Sequence, residues 1–348
     1  MQNPFTTTFS KIPDGTYIST DQALDILENL DYDVPSESVY KITGVRGSGK
    51  TVILSKIENE LRTKKDWLVF DVNPSRDILE QIIAMLYKSG YGKKRGRLKT
   101  VNVSAGLAHI GASIEYTKDK YIDIGVELET LLEEVAKKGQ KILIGIDEMS
   151  KNWEMSTFTL EYGRWLRAGY PVYLVGTGLY ENINALSNIK DLTFFRRATT
   201  IQTIPLNAIR MSEMYKEKLG VDIKTAKNMA AITKGYAYAF QQLGSLYFSK
   251  TKREKLTDVI PRLKTELFAY SYEKIWEDLS EADKNMLRLM SEDKLYKRED
   301  MLVLMGDSAN SYSVYRDRLL KRGIIASTQG YISHALPYFE EYVKEYGV

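Results

Sequence analysis

Eight residues constrain this chain more than any others: Gly44-Val45-Arg46-Gly47-Ser48-Gly49-Lys50-Thr51, a G-x-x-x-x-G-K-T sequence. A β-prone run, Val39 to Ile42, precedes them, and a helical pattern follows, with Val52, Ile53, Leu54, Ile57 and Leu61. Strand, glycine-rich loop and helix in that order are what a phosphate-binding loop needs. The glycines let the backbone turn tightly and aim successive N–H groups at phosphate oxygens. A helix opening near Lys50 adds its unsatisfied N–H groups and the positive end of its dipole. In this reading Gly44 through Val52 cradle the phosphates, Lys50 reaches the β- and γ-phosphates, and the Thr51 hydroxyl holds Mg²⁺. The bland alternative is an ordinary Gly-rich turn, which needs neither flanking element. The ligand implied is a nucleoside triphosphate.

A second stretch supports the first. Lys141-Ile142-Leu143-Ile144-Gly145-Ile146 is a continuous apolar run closing in Asp147-Glu148. By itself a strand ending in acids is a common turn. Downstream of a phosphate loop, Asp147 fits a Mg²⁺ ligand and Glu148 a group that polarises the attacking water. The next apolar run, Val172–Val175, closes with Gly176-Thr177-Gly178. Thr177 is the polar candidate at that strand's end, against the reading of a simple turn hydroxyl.

Composition narrows the chemistry. The 348 residues are 43% apolar, enough for a sizeable core and two or three domains, and they include no cysteine. Disulfides, zinc–thiolate centres and cysteine nucleophiles are therefore excluded, and two histidines, His109 and His334, do not furnish a multi-histidine metal site. No run reaches membrane-span length, and the N-terminus lacks the apolar region of a signal peptide, so the expectation is a cytoplasmic protein with no membrane partner. Net charge is only +3. Its distribution says more: residues 81–113 contain no acid but carry Lys88, Lys93, Lys94, Arg95, Arg97 and Lys99. That stretch is either a solvated loop or a nucleic-acid contact, and the alternating residues after it suggest a β-hairpin inserted within 88–116.

Along the chain, residues 1–38 read as an extended lead-in with one helix from Asp21 to Leu30. Residues up to 205 then alternate strands and helices as an α/β core, with Trp67–Val72 a second buried strand and Thr199–Thr203 a fifth. Residues 206–278 are helical throughout, with interruptions expected near Gly220, Gly235 and Pro261. Residues 279–348 read as three helices and a short hairpin, the pattern of a winged helix. Its third helix concentrates Arg316, Arg318, Lys321 and Arg322, although 279–348 as a whole hold ten Lys/Arg against eleven Asp/Glu.

These residues together resemble an AAA+-type P-loop ATPase of the origin-recognition-like and archaeal-type (STAND-related) branch. The resemblance covers nearly the whole chain. Asn3-Pro4-Phe5 with Thr8-Phe9, the phosphate loop and Thr193-Phe194-Phe195-Arg196-Arg197-Ala198 look like a bacterial group of such ATP-binding proteins. It implies an α/β fold with a parallel sheet of order 5-1-4-3-2, an all-α lid over 206–278 and a C-terminal winged helix. It also implies ATP and Mg²⁺ as cofactors, with Lys50, Thr51, Asp147 and Glu148 matching the class residues and Thr177 the sensor position. Arg196 and Arg197 occupy the place where the class often carries a finger for a neighbouring subunit's γ-phosphate; the alternative is a surface pair capping a helix. The chain departs at Gly235-Tyr236-Ala237-Tyr238-Ala239-Phe240, which has neither the arginine nor the G-x-P proline that the lid of this class often offers to the nucleotide.

Two functions follow. One is an ATPase acting on double-stranded DNA, an initiator or helper of replication or of a mobile element, with Lys93, Lys94, Arg95, Arg97, Arg316, Arg318, Lys321 and Arg322 as contacts. The other is a nucleotide-gated signalling or assembly switch whose winged helix packs against the core or a protein partner, with a homo-oligomer as a further expected assembly. A metabolic kinase fits poorly, because Glu148 suits water activation better than phosphate transfer.

Overall fold

The structure, a computed structural model, describes residues 2–8, 12–13, 15–92, 101–103, 112–114, 123–189 and 193–347. The basic candidates Lys93, Lys94, Arg95 and Arg97, with Lys99, lie outside them. The chain forms two compact units.

One unit, residues 25–42 and 54–201, is built on a five-strand parallel sheet. Its strands are β1 (Val39–Thr43), β2 (Trp67–Asp71), β5 (Lys141–Ile146), β6 (Val172–Gly178) and β7 (Thr199–Gln202), in the order β2-β5-β6-β1-β7. Counting only these five strands, that is the 5-1-4-3-2 order expected. Two further short strands, β3 (Val101–Val103) and β4 (Ala112–Ile114), pair antiparallel, as the inserted hairpin requires. Apart from the half-buried Lys141, every position of β5 and β6 is buried, which is why both read as near-continuous apolar runs.

The helices of this unit are delimited by ordinary signals. In α3 (Ile78–Lys88) the Asp77 side chain accepts from the Glu80 N–H, and in α4 (Ile124–Lys137) Asp123 does the same for Val126. Helix α5 (Trp153–Ala168) starts at an Asn152 cap and stops at Gly169, whose φ of 75° is left-handed. Ile82, Leu86, Leu131, Leu132, Phe158, Tyr162 and Trp165 from these helices bury against β5 and β6 to form the core. Two shorter helices, α6 (Tyr180–Ser187) and α7 (Thr193–Arg197), lead to β7. The lead-in helix is α1 (Asp21–Asp31), and α2 (Lys50–Arg62) carries the chain from the glycine-rich loop to the sheet unit.

The other unit, residues 1–24, 43–53 and 202–348, is mostly helical. Helices α8 (Ala208–Leu219), α9 (Ile223–Ile232), α10 (Ala237–Ser249) and α11 (Leu256–Leu267) come first. A π-helical turn, Phe268–Tyr272, continues α11 into α12 (Glu273–Glu277). Pro261, expected as a break, lies inside α11 instead. Its missing N–H forfeits one helical bond, while Val259, Leu263 and Leu267 are fully buried on the helix's apolar face and hold it together. The break falls at residues 250–255. Phe5 packs beside Tyr215 and Phe240, ring centroids 5.8 and 5.9 Å away, so the N-terminal segment belongs to this core.

From Glu281 the order is α13 (Glu281–Leu289), α14 (Arg298–Met305), α15 (Tyr312–Arg322), a hairpin of β8 (Ile325–Thr328) and β9 (Tyr331–His334), then α16 (Phe339–Tyr346). Tyr296 adds a bridge to Ile332 at the hairpin's side. Among the described residues no helix is long and apolar enough to cross a membrane.

Candidate functional site

Gly44 to Thr51 form a loop followed directly by α2, which opens at Lys50. The Lys50 Nζ donates to the carbonyls of Gly44 and Val45 at 3.0 and 2.9 Å, so its ammonium lies within the turn of the loop. Gly47 (φ 73°) and Gly49 (φ 94°) take left-handed backbone that L side chains rarely adopt. At Gly47 space matters as much: a Cβ there would collide with the Tyr236 hydroxyl and stand 2.9 Å from the Tyr238 Cβ. Ser48 closes a turn through its N–H to the Val45 carbonyl, 3.2 Å, and its hydroxyl accepts from Thr203 Oγ1 at 2.9 Å. Val45 is buried in the helical unit's core, and Arg46 pairs with Asp278 at 3.3 Å.

In the sheet unit, Asp147 and Glu148 follow β5 as expected, but Thr177 differs from its expected surroundings. Strand β6 runs on through Gly176 to Gly178, so Thr177 is a fully buried strand residue rather than a turn hydroxyl. Its hydroxyl donates to Asp147 Oδ1 and accepts from the Glu148 N–H at 3.2 Å. The Thr177 carbonyl accepts from the Met149 N–H at 2.7 Å. One threonine therefore positions both acids, orienting the Asp147 carboxylate and fixing the Glu148 backbone. Glu148 holds φ 55°, uncommon for a non-glycine residue, while its side chain is exposed. Backbone kept in such a region persists where the surroundings over-determine it.

Glu58, on the sheet-unit part of α2, was not anticipated. It is buried, its Oε2 lies 3.3 Å from Arg62, and its Oε1 has no hydrogen-bond partner. Only glycine at 145 leaves it room, since a Cβ there would collide with Oε1. Burial above all, then the charges of Asp71 and Asp147, push its carboxyl up to about 7 against the pull of Arg62. A folded-state value above the unfolded 4.5 means the folded protein holds an extra proton between those pH values. The associated stability is fully present below pH 4.5 and lost as pH rises through about 7. Ionised Glu58 thus costs on the order of 2–3 kcal/mol at pH 8. Glu58→Gln is expected to raise the melting temperature at pH 8 and to flatten its fall between pH 5 and pH 8. Thermal melts at the two pH values check this; a parental fall would contradict it.

The fold has known counterparts. The Walker-type ATPase PABY2304 of Pyrococcus abyssi superposes with a TM-score of 0.62 at 13% identity, covering 93% of this chain and 95% of that one. The ORC2 protein of Aeropyrum pernix, solved as ADPNP and ADP complexes, gives 0.54 at 11% identity, with 93% and 92% covered. This chain has the fold of an AAA+-type P-loop ATPase. At such identities the likeness is one of architecture. No curated protein matches the sequence. A family model described as a domain of unknown function, DUF8462, matches residues 269–343 of this chain and names no activity.

Arg196 and Arg197, at the end of α7, are exposed and form no ion pair among the described residues. The helix bearing them is anchored from within the sheet. Lys41, buried on β1, donates from Nζ to the Phe195 carbonyl at 2.6 Å and lies 5.0 Å from that ring's centroid. Burial pulls the Lys41 ammonium down to about 8.

The basic residues of α15 divide into two kinds. Arg318 grips the fully buried Asp283 through Nε and Nη2 at 2.7–2.8 Å and reaches Ser280 at 3.1 Å. Arg322 donates to the Asp278 carbonyl at 3.3 Å and stands 3.7 Å from Asp283. Both charges are answered inside the helical unit. Arg316 contacts Ser327 at 3.0 Å and Lys321 pairs with Asp317 at 2.7 Å, both toward solvent.

The Tyr236–Tyr238 segment, noted in the sequence only for what it lacks, meets the phosphate loop directly. The Tyr236 hydroxyl donates to the Arg46 carbonyl at 2.6 Å, and the Tyr238 N–H to the Gly47 carbonyl at 3.0 Å. Among the described residues no group of three or more His, Cys, Asp or Glu side chains could hold a metal ion. Mg²⁺ typically takes one or two carboxylates and completes its shell with phosphates and water. Asp147, held by the Thr177 hydroxyl, is a carboxylate of the kind Mg²⁺ takes.

Proposed function

We propose that this protein binds ATP with Mg²⁺ and hydrolyses it to drive a conformational or assembly cycle. The observation that carries the proposal is the intact loop, with the Lys50 ammonium drawn into its turn and helix α2 opening at that residue. In this reading Gly44 to Val52 receive the phosphates and Lys50 neutralises the β- and γ-phosphates. Thr51 and Asp147 hold Mg²⁺, which would screen the phosphate charge. Glu148 polarises the attacking water, Thr177 keeps the acids aligned, and Arg196 or Arg197 serves a neighbouring subunit. Residues 1–205 act as the ATPase core, 206–278 as a lid and 279–348 as a winged-helix domain.

Within this cycle we favour a switch whose C-terminal domain engages protein. Arg318 and Arg322, two of the four basic residues of α15, are committed to Asp283, and Asp317 stands exposed on the same helix. Paired with Lys321, Asp317 offsets one of the two remaining positive charges. Duplex DNA is the second reading, supported by Arg316, Lys321 and the acid-free run holding Lys93, Lys94, Arg95 and Arg97.

Lys50→Ala is expected to weaken ATP binding by at least about 10-fold, since a charge-assisted phosphate contact contributes roughly 1.5–3 kcal/mol. Equilibrium titration with Mg²⁺-ATP measures it, and unchanged affinity would refute the nucleotide site. Repeating the titration with random duplex DNA at two salt concentrations separates the readings. Tight binding that collapses with salt supports DNA, and none at either supports the protein partner.

A further inference from the structure

Two successive carbonyls of the phosphate loop are held by the segment that opens α10. Tyr236 takes the N-cap position there, and its side chain makes no capping bond to the helix. An uncapped helix start leaves N–H donors without partners. Tyr238 meets this need by donating its N–H to the Gly47 carbonyl at 3.0 Å. The Tyr236 ring is turned the other way, and its hydroxyl donates to the Arg46 carbonyl at 2.6 Å.

The hydroxyl has a second partner, Ser271 Oγ, also at 2.6 Å. A phenol carries one proton and a carbonyl can only accept, so that proton goes to Arg46 and Ser271 donates to Tyr236. Both Tyr236 and Ser271 are buried, so neither bond is shared with water. Ser271 sits in the π-helical turn Phe268–Tyr272, an irregularity frequent at functional sites. The Asp278 carboxylate, just past α12, holds the Arg46 side chain at 3.3 Å. Arg46 is thus gripped at both its backbone and its guanidinium.

A trans peptide is planar, with its N–H opposed to its C=O. Drawing the Arg46 carbonyl toward Tyr236 therefore turns the Gly47 N–H away from the tyrosines and into the loop. Gly47 lets the hydroxyl come this close, because any Cβ there would collide with it.

We infer that Tyr236, anchored by Ser271, is a positioning residue for phosphate binding that presets the Gly47 amide for the nucleotide's phosphates. The inference rests on the ATP reading above. It makes the 236–278 segment part of the nucleotide site through the loop's backbone, with no arginine needed.

Tyr236→Phe keeps the ring and removes the hydroxyl. Titration of the full chain with ATP, ADP and AMP is expected to show ATP and ADP weakened by the same factor, about tenfold, with AMP unchanged. Ser271→Ala, which leaves the Tyr236–Arg46 bond, is expected to give a smaller loss of the same pattern, about two- to threefold. Parental ATP and ADP affinities in Tyr236→Phe, with only a lower melting temperature, would show a purely structural hydroxyl and overturn the inference. So would an equal loss for all three nucleotides. Should Tyr236→Phe not fold, the Ser271→Ala pattern decides in the same way. Failure of the ATP reading has a separate signature: the parent binds none of the nucleotides and Lys50→Ala changes nothing.

Discussion

Arg197→Ala is expected to lower ATP turnover by about 10³–10⁵-fold at concentrations where the parent protein is assembled. An arginine delivered across an interface stabilises charge that develops on the transferring phosphoryl group, in a site its own subunit does not complete. Three features of the chain motivate the expectation. Arg196 and Arg197 end a five-residue helix, are exposed and have no ion pair among the described residues. The helix is fixed by the Lys41 Nζ bond to the Phe195 carbonyl, so the pair has a stable base. It leads straight into β7, the edge strand of the sheet. Parent activity per subunit is expected to rise with protein concentration, and Arg197→Ala to abolish that rise. Mixing in Glu148→Gln subunits, which still present their arginines, should rescue the mutant. Constant activity on dilution, together with no rescue, would assign the arginines to a structural role.

Glu148→Gln is expected to slow hydrolysis by about 10²–10⁴-fold while leaving ATP affinity within a few-fold of the parent, because an amide cannot take up the proton of the attacking water. The change is nearly isosteric. It leaves untouched the bond from the Glu148 N–H to Thr177 and that from Thr177 to Asp147. The constrained backbone at φ 55° is held by those contacts, so the substituted side chain should leave the backbone in the same place. Single-turnover hydrolysis measured beside equilibrium binding separates the effects. Parental turnover would remove Glu148 from the chemistry, and a parallel loss of affinity would mean that the substitution disturbs the loop or the metal.

Some of this site was legible because its signals are local. The Gly44–Thr51 loop declares itself by spacing, and β5 with Asp147-Glu148 by the uninterrupted apolar run of a strand buried on both faces. Thr177 was ambiguous because Gly176 and Gly178 read as breakers that would end β6 at Val175. In the structure Gly176 continues the strand, since Met149 packs where a Cβ would otherwise stand. Pro261 misled in the opposite direction, reading as a break although packing on both sides keeps α11 continuous. For Arg318 and Arg322 the sequence shows a basic helix, but their acidic partner, Asp283, lies 35 residues before Arg318.

The order of strands and helices, the phosphate loop and the acids after β5 were determined by the sequence alone. They arise from backbone preferences and hydrophobic periodicity acting over a few residues, and such forces leave their trace in neighbouring positions. Tertiary structure alone decided what surrounds them: the Thr177 hydroxyl between Asp147 and Glu148, the buried Glu58 against Gly145, and Tyr236 on the Arg46 carbonyl 190 residues away. These depend on direction and distance between groups far apart in the chain. A buried hydroxyl or carboxyl is defined by what the fold places within about 3 Å of it, and no local pattern encodes that neighbour.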